Sequence, residues 1–238
     1  MEGRALVESW VRLRSGAWAR VSRGSPEATV GVIVLHPWGP LGGSIHDPHV
    51  VTAARLFASA GCATARVSFR TGFSCGSSPT ADVQAAAEAL LEQDTVTRLL
   101  IVGYSYGSIV AVAAATAVPE AVGFVAINPP LDVAWALFLF NGHQLLDQGK
   151  KTPLPKLLIH ATRDQFCSNE SFDAFVDALP DVKLAVNVQG ANHFDVVRHL
   201  PDAIRRFLRH AFDCDLQRFA KGDFHRPPPS QVVVEEGN

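Results

Sequence analysis

The chain has 238 residues, of which 47% are hydrophobic and 18% charged, and its net charge is -2. This composition supports a sizeable core, excludes a disordered chain, and argues against nucleic acid as a partner. The longest apolar run, residues 133–140, is too short to span a bilayer, and the first residues predict no signal peptide. The four scattered cysteines indicate free thiols, so we expect a cytoplasmic protein.

Apolar runs alternate along the chain with alanine-rich stretches, a pattern that is typical of parallel strands joined by helices. Strands are predicted at residues 6–13, 17–22, 29–36, 63–69, 98–102, 122–127, 156–160 and 183–188, the first two forming a hairpin. Helices are predicted at residues 48–60, 81–93, 105–118, 172–179 and 200–212, the first with Asp47 as its N-cap and Pro48 at its first position.

This alternation predicts one α/β domain over residues 1–220, with a mostly parallel, doubly wound sheet and helices on both faces. The segment 129–155 interrupts the alternation, but it is too short for a large cap domain. Residues 221–238 are rich in proline at their start, and we expect a disordered tail there.

The pattern Gly-x-Ser-x-Gly, which forms a nucleophile elbow when it lies between a strand and a helix, occurs twice. One copy, around Ser105, directly follows predicted strand 98–102 and directly precedes a predicted helix. The other, around Ser74, lies in a loop with Ser-Ser-Pro before any helix begins. The sequence therefore predicts Ser105 as a nucleophile at a helix N-terminus, which favours developing negative charge. A tight turn without chemistry is the alternative interpretation.

A serine nucleophile needs a neighbouring base, and that base needs a carboxylate to orient it. Asp164 follows predicted strand 156–160, and His193 follows predicted strand 183–188. Both are expected at the carboxyl edge of the sheet, where open α/β sheets bind ligands. Asp132, after predicted strand 122–127, is the rival acid. His46 and His49 flank a capping aspartate in a proline-interrupted loop, which is a weak metal pattern, so we predict no metal and no cofactor.

Two backbone amides are predicted to form an oxyanion hole. The first is the amide of Tyr106, which follows the nucleophile, and the second comes from the loop after predicted strand 29–36. Pro37 and Pro40 in that loop have no N–H, which leaves Trp38 and Gly39. Of these two, we favour Trp38.

With these motifs in place, the chain resembles the α/β-hydrolase superfamily. It is most similar there to small serine hydrolases of the dienelactone-hydrolase-like and Xaa-Pro-dipeptidyl-peptidase-like groups, over about residues 30–208. The resemblance assigns the pattern around Ser74 to a glycine-rich loop after a strand, and not to the nucleophile. The matching positions are His36, Pro37, Gly42, Gly43, Ser44, 61–66, Phe69, Arg70, Gly72, Gly76, 129–132, 158–160 and 192–194.

The sequence thus predicts a serine hydrolase that cleaves a carboxylic ester or related acyl bond of a small molecule. A non-catalytic binding protein with the same fold and a serine peptidase are the alternatives. Trp135 and Phe138 lie in the apolar first half of segment 129–155, and they are predicted either to line the acyl site or to pack in the core. We expect short or medium acyl chains to be preferred, and the sequence does not specify an oligomeric state.

Overall fold

The computed structural model describes residues 7–70, 77–139, 141–225 and 233–237. Within these ranges there are nine strands: β1 (Glu8–Arg12), β2 (Trp18–Ser22), β3 (Val30–Leu35), β4 (Ala63–Ser68), β5 (Arg98–Tyr104), β6 (Ala121–Ile127), β7 (Lys156–Ala161), β8 (Lys183–Val188) and β9 (Val233–Gly237). The α-helices in the same ranges are α1 (Pro48–Ser59), α2 (Ser77–Leu91), α3 (Tyr106–Ala117), α4 (Ala134–Leu137), α5 (Gly142–Gly149), α6 (Asn169–Ala178), α7 (Leu200–Phe212) and α8 (Leu216–Lys221).

The strands form one sheet in the order β1-β2-β4-β3-β5-β6-β7-β8-β9. The hairpin β1–β2 is antiparallel, and β2 is antiparallel to β4, whereas the pairs from β4 through β3 to β9 are parallel. The chain adds β4 on one side of β3 and β5 on the other. The strand order therefore reverses beside β3, and such a reversal opens a crevice at the carboxyl edge of a parallel sheet.

Helices cover both faces of the sheet, because the central strands are apolar on both sides and would otherwise expose that surface. On one face, α2, α3 and α6 bury residues that include Val83, Ile109 and Phe172. On the other face, α1, α7 and α8 bury residues that include Phe57, Phe207 and Phe219. The predicted fold class, a mostly parallel doubly wound sheet with helices on both faces, is confirmed.

The segment between β6 and β7 contains the short helices α4 and α5, and α5 packs directly against α3. This arrangement is consistent with the expectation of little or no cap domain. In the described ranges, none of the helices has both the length and the apolar character that crossing a bilayer requires.

The C-terminal region differs from the predicted disordered tail in two places. Helix α8 continues to Lys221, and β9 lies parallel to β8 with Val233 beside Leu184. The valine-rich run has high strand propensity, and the outer edge of β8 offers unpaired backbone groups. Residues 226–232 and 238 lie outside the described ranges, and the division of the chain at residue 220 stays a prediction.

Candidate active site

Ser105 lies between β5 and α3 with φ 52° and ψ -122°, a strained conformation for a residue with a side chain. Two glycines make this turn possible. A Cβ on Gly103 would lie 2.0 Å from the carbonyl oxygen of Gly107, and a Cβ on Gly107 would lie 2.6 Å from that of Leu35. The turn therefore places the Ser105 hydroxyl at the N-terminus of α3, directly beside the end of β3, as an elbow requires.

A chain of hydrogen bonds joins the three predicted residues. His193 Nδ1 lies 2.7 Å from Asp164 Oδ2, and His193 Nε2 lies 2.9 Å from Ser105 Oγ. Because a carboxylate only accepts hydrogen bonds, Nδ1 carries the proton, and Nε2 accepts from the serine hydroxyl. The side chains of Asp164 and His193 are only 0% and 3% exposed, so water does not screen their interaction.

The loop after β7 fixes the Asp164 carboxylate. Its Oδ1 accepts a hydrogen bond of 2.7 Å from the amide of Phe166, and the amide of Asp164 itself donates to Ala161. Both carboxylate oxygens therefore have partners, and Oδ2 is left facing the imidazole of His193. A buried carboxylate held in this way orients its partner ring with little freedom to rotate.

Aromatic rings enclose the imidazole of His193. The rings of Phe166 and Phe194 meet it edge-on, with centroids at 4.8 and 5.2 Å, and the ring of Tyr104 lies at 5.5 Å. Apolar groups at these distances exclude water from the ring and strengthen the hydrogen bonds that it makes.

Asp132, the rival acid, has other partners. Its Oδ2 accepts from the amide of Ser168 at 2.7 Å, and its Oδ1 accepts from the hydroxyl of Ser171 at 2.5 Å. Burial raises its pKa, but these hydrogen bonds outweigh that effect and hold the pKa below its ordinary value. The Asp132 carboxylate thus binds the N-terminal turn of α6, and Asp164 is the carboxylate bonded to His193.

The loop after β3 begins at His36, beside the first turn of α3. The amide of Phe69 donates to His36 Nε2, and His36 Nδ1 donates to the carbonyl of Pro37 at 2.5 Å. Burial lowers the pKa of His36, which favours the neutral ring that can do both. Trp38 follows and accepts from the amides of Leu41 and Gly43. The loop is thus firmly shaped, and the oxyanion roles of the Trp38 and Tyr106 amides stay predictions.

The two residues predicted to line the acyl site have different environments. Trp135 is 49% exposed, but Phe138 is 0% exposed and its ring stacks on that of Tyr106 at 4.5 Å. Residues four positions apart share a helix face, so Phe138 follows the buried Ala134 into the core. Phe138 therefore packs against Tyr106 in the core. Of the two interpretations of Phe138, this position agrees with core packing and not with a contact to the substrate.

Two further side chains contact His193, and sequence reasoning missed both. The hydroxyl of Tyr104 and the amide of Asn128 donate to the main-chain carbonyl of His193. Asn128 could have been noticed as a polar residue directly after the apolar strand β6, at the same sheet edge as Asp164 and His193. Tyr104 is inside the Gly-x-Ser-x-Gly pattern, but no signal in the sequence marks its side chain as a partner of His193.

The weak metal pattern near α1 is a helix cap. Asp47 is the N-cap of α1, as predicted, and its carboxylate accepts from both the amide and the Nδ1 of His49. Among the described residues, no group of three or more His, Cys, Asp or Glu side chains could hold a metal ion. The second Gly-x-Ser-x-Gly pattern, around Ser74, lies outside the described residues.

Comparison with known proteins agrees with this fold. Solved structures that are similar to it include an α/β serine hydrolase without a lid from Xanthomonas campestris, at 23% identity and a TM-score of 0.70 over 85% of this chain and 93% of that one. They also include an α/β serine hydrolase homologue from Coxiella burnetii, at 21% identity and a TM-score of 0.70 over 85% and 97%. An esterase from Pyrococcus furiosus has 17% identity and a TM-score of 0.70 over 85% and 90%.

The sheet order and the elbow between β5 and α3 define an α/β-hydrolase fold. The model of the alpha/beta hydrolase family matches residues 32–238, and the chain belongs to this family. No significant match was found among curated proteins.

Proposed function

We propose that this protein is a serine hydrolase that cleaves a carboxylic ester or related acyl bond through an acyl-enzyme. The observation that carries the proposal is the continuous hydrogen-bond chain from Asp164 through His193 to Ser105. A buried carboxylate, an imidazole with a fixed proton position and an activated hydroxyl are the parts that acyl transfer needs.

In the acylation step, Ser105 Oγ attacks the substrate carbonyl carbon while His193 Nε2 takes the hydroxyl proton. Asp164 stabilises the imidazolium that forms. The Tyr106 and Trp38 amides, together with the N-terminus of α3, would stabilise the oxyanion of the tetrahedral intermediate. When the intermediate collapses, the bond to the leaving alcohol breaks, and the alcohol takes its proton from His193.

In the second step, His193 Nε2 takes a proton from water, whose oxygen attacks the acyl-enzyme. The carboxylic acid leaves as the proton returns to Ser105 Oγ. Every proton and electron pair in this cycle moves between these side chains, the substrate and water, so the proposal includes no cofactor. A cytoplasmic location is part of the same proposal, since Cys62, Cys167 and Cys214 are free, buried thiols.

The substrate is proposed to be a small ester with a short or medium acyl chain. In the described residues between β6 and β7 the helices are all short, and the longest, α5, has eight residues, so the site has little material to build a deep tunnel. Trp135 on α4 offers a half-exposed aromatic surface for an acyl group, and Phe194 beside His193 is also exposed. These two side chains would form an open apolar wall.

The proposal is tested by labelling the purified protein with a fluorophosphonate, which reacts with activated serine hydroxyls. We expect labelling at Ser105, and we expect Ser105→Ala to abolish both labelling and ester hydrolysis while the fold is retained. Ser74→Ala is the matched control and should keep most of both. Labelling that persists in Ser105→Ala would refute the assignment, and a wild-type protein that neither reacts nor turns over esters would favour a binding protein.

A further inference from the structure

The main chain of His193 is held by side chains on both sides. Its carbonyl oxygen accepts two hydrogen bonds, from Tyr104 Oη at 3.0 Å and from Asn128 Nδ2 at 2.7 Å. Its amide lies 3.3 Å from Gln165 Oε1, which accepts from it. Both residues that donate to this carbonyl are buried, and Asn128 is completely buried. Backbone groups in loops usually face water. A loop carbonyl that accepts hydrogen bonds from two buried side chains is therefore not an ordinary feature of a loop.

The two donors lie at the carboxyl ends of two central strands. Tyr104 ends β5 and Asn128 directly follows β6, and these neighbouring strands are buried in the middle of the sheet. The loop that carries His193 follows β8, nearer the edge of the sheet. The hydrogen bonds therefore connect the histidine loop to the central strands, including the strand that leads into Ser105.

Asn128 adopts a strained backbone to reach this position. Its φ is 44°, in the left-handed region, and its amide donates to the Ile159 carbonyl at 2.8 Å. Asparagine tolerates this region better than most residues, but the conformation still costs free energy relative to extended backbone. The strain occurs at the residue whose side chain reaches His193, as is common where strain serves a site.

Contacts with α1 restrain the Tyr104 side chain. Its ring stacks on that of His49 at 3.9 Å, and His49 is in turn bonded to the α1 N-cap Asp47. Burial, with smaller contributions from the carboxylates of Asp47, Asp164 and Asp195, raises the pKa of Tyr104. The phenol therefore keeps its proton and stays a donor. Tyr104 directly precedes Ser105, so two consecutive residues contribute the predicted nucleophile and a hydrogen bond to the main chain of His193.

We propose that Tyr104 and Asn128 are positioning residues that together hold the main chain of His193, so that its Nε2 stays within hydrogen-bond distance of Ser105 Oγ throughout the cycle. The inference rests on the proposed function and adds two residues to it. The imidazole must accept a proton from one oxygen and deliver it to another, and a displacement of about 1 Å at such a site can cost on the order of a hundredfold in rate. Holding the histidine backbone limits that displacement.

The test uses Tyr104→Phe, Asn128→Gly and the double variant in the full chain. Phenylalanine keeps the ring stacked on His49, so Tyr104→Phe removes only the donor hydroxyl. Glycine adopts a positive φ freely, so Asn128→Gly removes the whole side chain and its donor without adding backbone strain. With one donor left, we expect each single variant to lose about threefold to fivefold in kcat. The double variant should lose about a hundredfold, more than the singles combined, with KM changed by less than about threefold.

Two control variants make matched changes away from His193. Thr64→Val removes a buried hydroxyl that is hydrogen-bonded to Ser22, and Asp213→Gly replaces another residue with positive φ, 49°, at the end of α7. Both should keep kcat within about twofold of the wild type. If they lower kcat as much as the test variants do, the effect is general destabilisation and the proposal fails.

A measurement without substrate separates this inference from the proposed function. The proton between His193 Nδ1 and Asp164 should give a low-field NMR resonance in the wild type, at a temperature well below unfolding. We expect it to persist in the single variants and the controls and to broaden or vanish in the folded double variant. A double variant with an intact resonance, or with wild-type kcat, would overturn the positioning role. If no ester is turned over by any form, the resonance alone decides it.

Discussion

Strands β7 and β8 have buried charged or titratable groups at both ends, but the groups at the two ends have different hydrogen-bond partners. At the carboxyl end, Asp164 follows β7 and His193 follows β8, and the two side chains bind each other and then Ser105. At the amino end, the strands begin with Lys156 and Lys183, which are register partners and almost fully buried.

Backbone oxygens hold the two lysines at the amino end. Lys183 Nζ donates to the carbonyls of Val176 and Leu179 at the C-terminus of α6, where the helix dipole favours a cation. Lys156 Nζ donates to the carbonyls of Thr152 and Pro180. Burial, and secondarily the neighbouring Lys183, lower the pKa of Lys156 to about 8.

The difference shows that burial of a titratable group does not by itself mark a reactive site. The ammonium groups of the two lysines donate to backbone carbonyls, which can neither give nor take a proton. These hydrogen bonds therefore only connect loops to the sheet. The carboxyl end connects a carboxylate, an imidazole and a hydroxyl, each of which can change its proton or its bonds. Substitutions at the two ends should therefore have different consequences.

The largest effect is expected from Asp164→Asn. The amide cannot stabilise the imidazolium and favours the wrong tautomer of His193, so kcat should fall on the order of ten-thousandfold. Asp132→Asn is the matched control, because Asp132 also follows a central strand but bonds to Ser168 and Ser171. We expect it to lose less than about fivefold. Steady-state ester hydrolysis measures both, and the reverse order of effects would exchange the two roles.

The second prediction concerns the backbone of the elbow. In Gly103→Ala the new Cβ would lie 2.0 Å from the Gly107 carbonyl oxygen, so the strand and helix must separate. We expect the free energy of unfolding to fall by at least about 3 kcal/mol, with activity lost. At Gly39 an added Cβ meets no atom within 4 Å, and Gly39→Ala should change stability by less than about 1 kcal/mol. Chemical denaturation compares them; equal losses would contradict the close-approach argument.

The third prediction concerns the amino end. The ordinary pKa of a lysine is 10.5, and that of Lys156 is about 8 in the folded protein. Between these values the unfolded chain binds a proton that the native state lacks. The contribution of Lys156 to the free energy of unfolding should therefore rise with pH, by about 2 kcal/mol between about pH 7.5 and 9.5.

This rise is measured as the difference between the wild type and Lys156→Met at each pH. The buried thiols of Cys62, Cys167 and Cys214, whose pKa values are raised to about 12, lower stability over the same range in both proteins and cancel. Lys151→Met, at an exposed lysine, should show no pH-dependent difference. A flat difference for Lys156→Met would mean that this ammonium keeps its proton in the native state.

The smallest effect is expected from Trp135, the residue that we propose for the acyl site. Trp135→Ala should lower kcat/KM for medium-chain esters by about threefold to tenfold, because a half-exposed ring gives up only part of its apolar contact. Acetyl esters should be affected less. A series of p-nitrophenyl esters measures this, and an equal loss at all chain lengths would remove Trp135 from the acyl site.

Local patterns predicted much of the fold and the three residues of the hydrogen-bond chain. Parallel strands with apolar faces, the glycines around Ser105 and the proline after Asp47 each impose their structure through short-range sterics, hydrogen bonding or burial. Once the strands were placed, the topology of a parallel sheet brought residues after separate strands to one edge. Asp164 and His193 could therefore be predicted together although they are distant in sequence.

Tertiary structure decided the rest, because those features depend on which side chains meet across separate elements. The sequence left both Asp132 and Asp164 as possible acids, and only the fold directs Asp132 to the start of α6. Phe138 could have faced the substrate or the core until the position of Tyr106 was known. Likewise, Tyr104 and Asn128 have no sequence spacing that connects them to His193. Their hydrogen bonds exist because β5, β6 and the loop after β8 converge, which no local periodicity encodes.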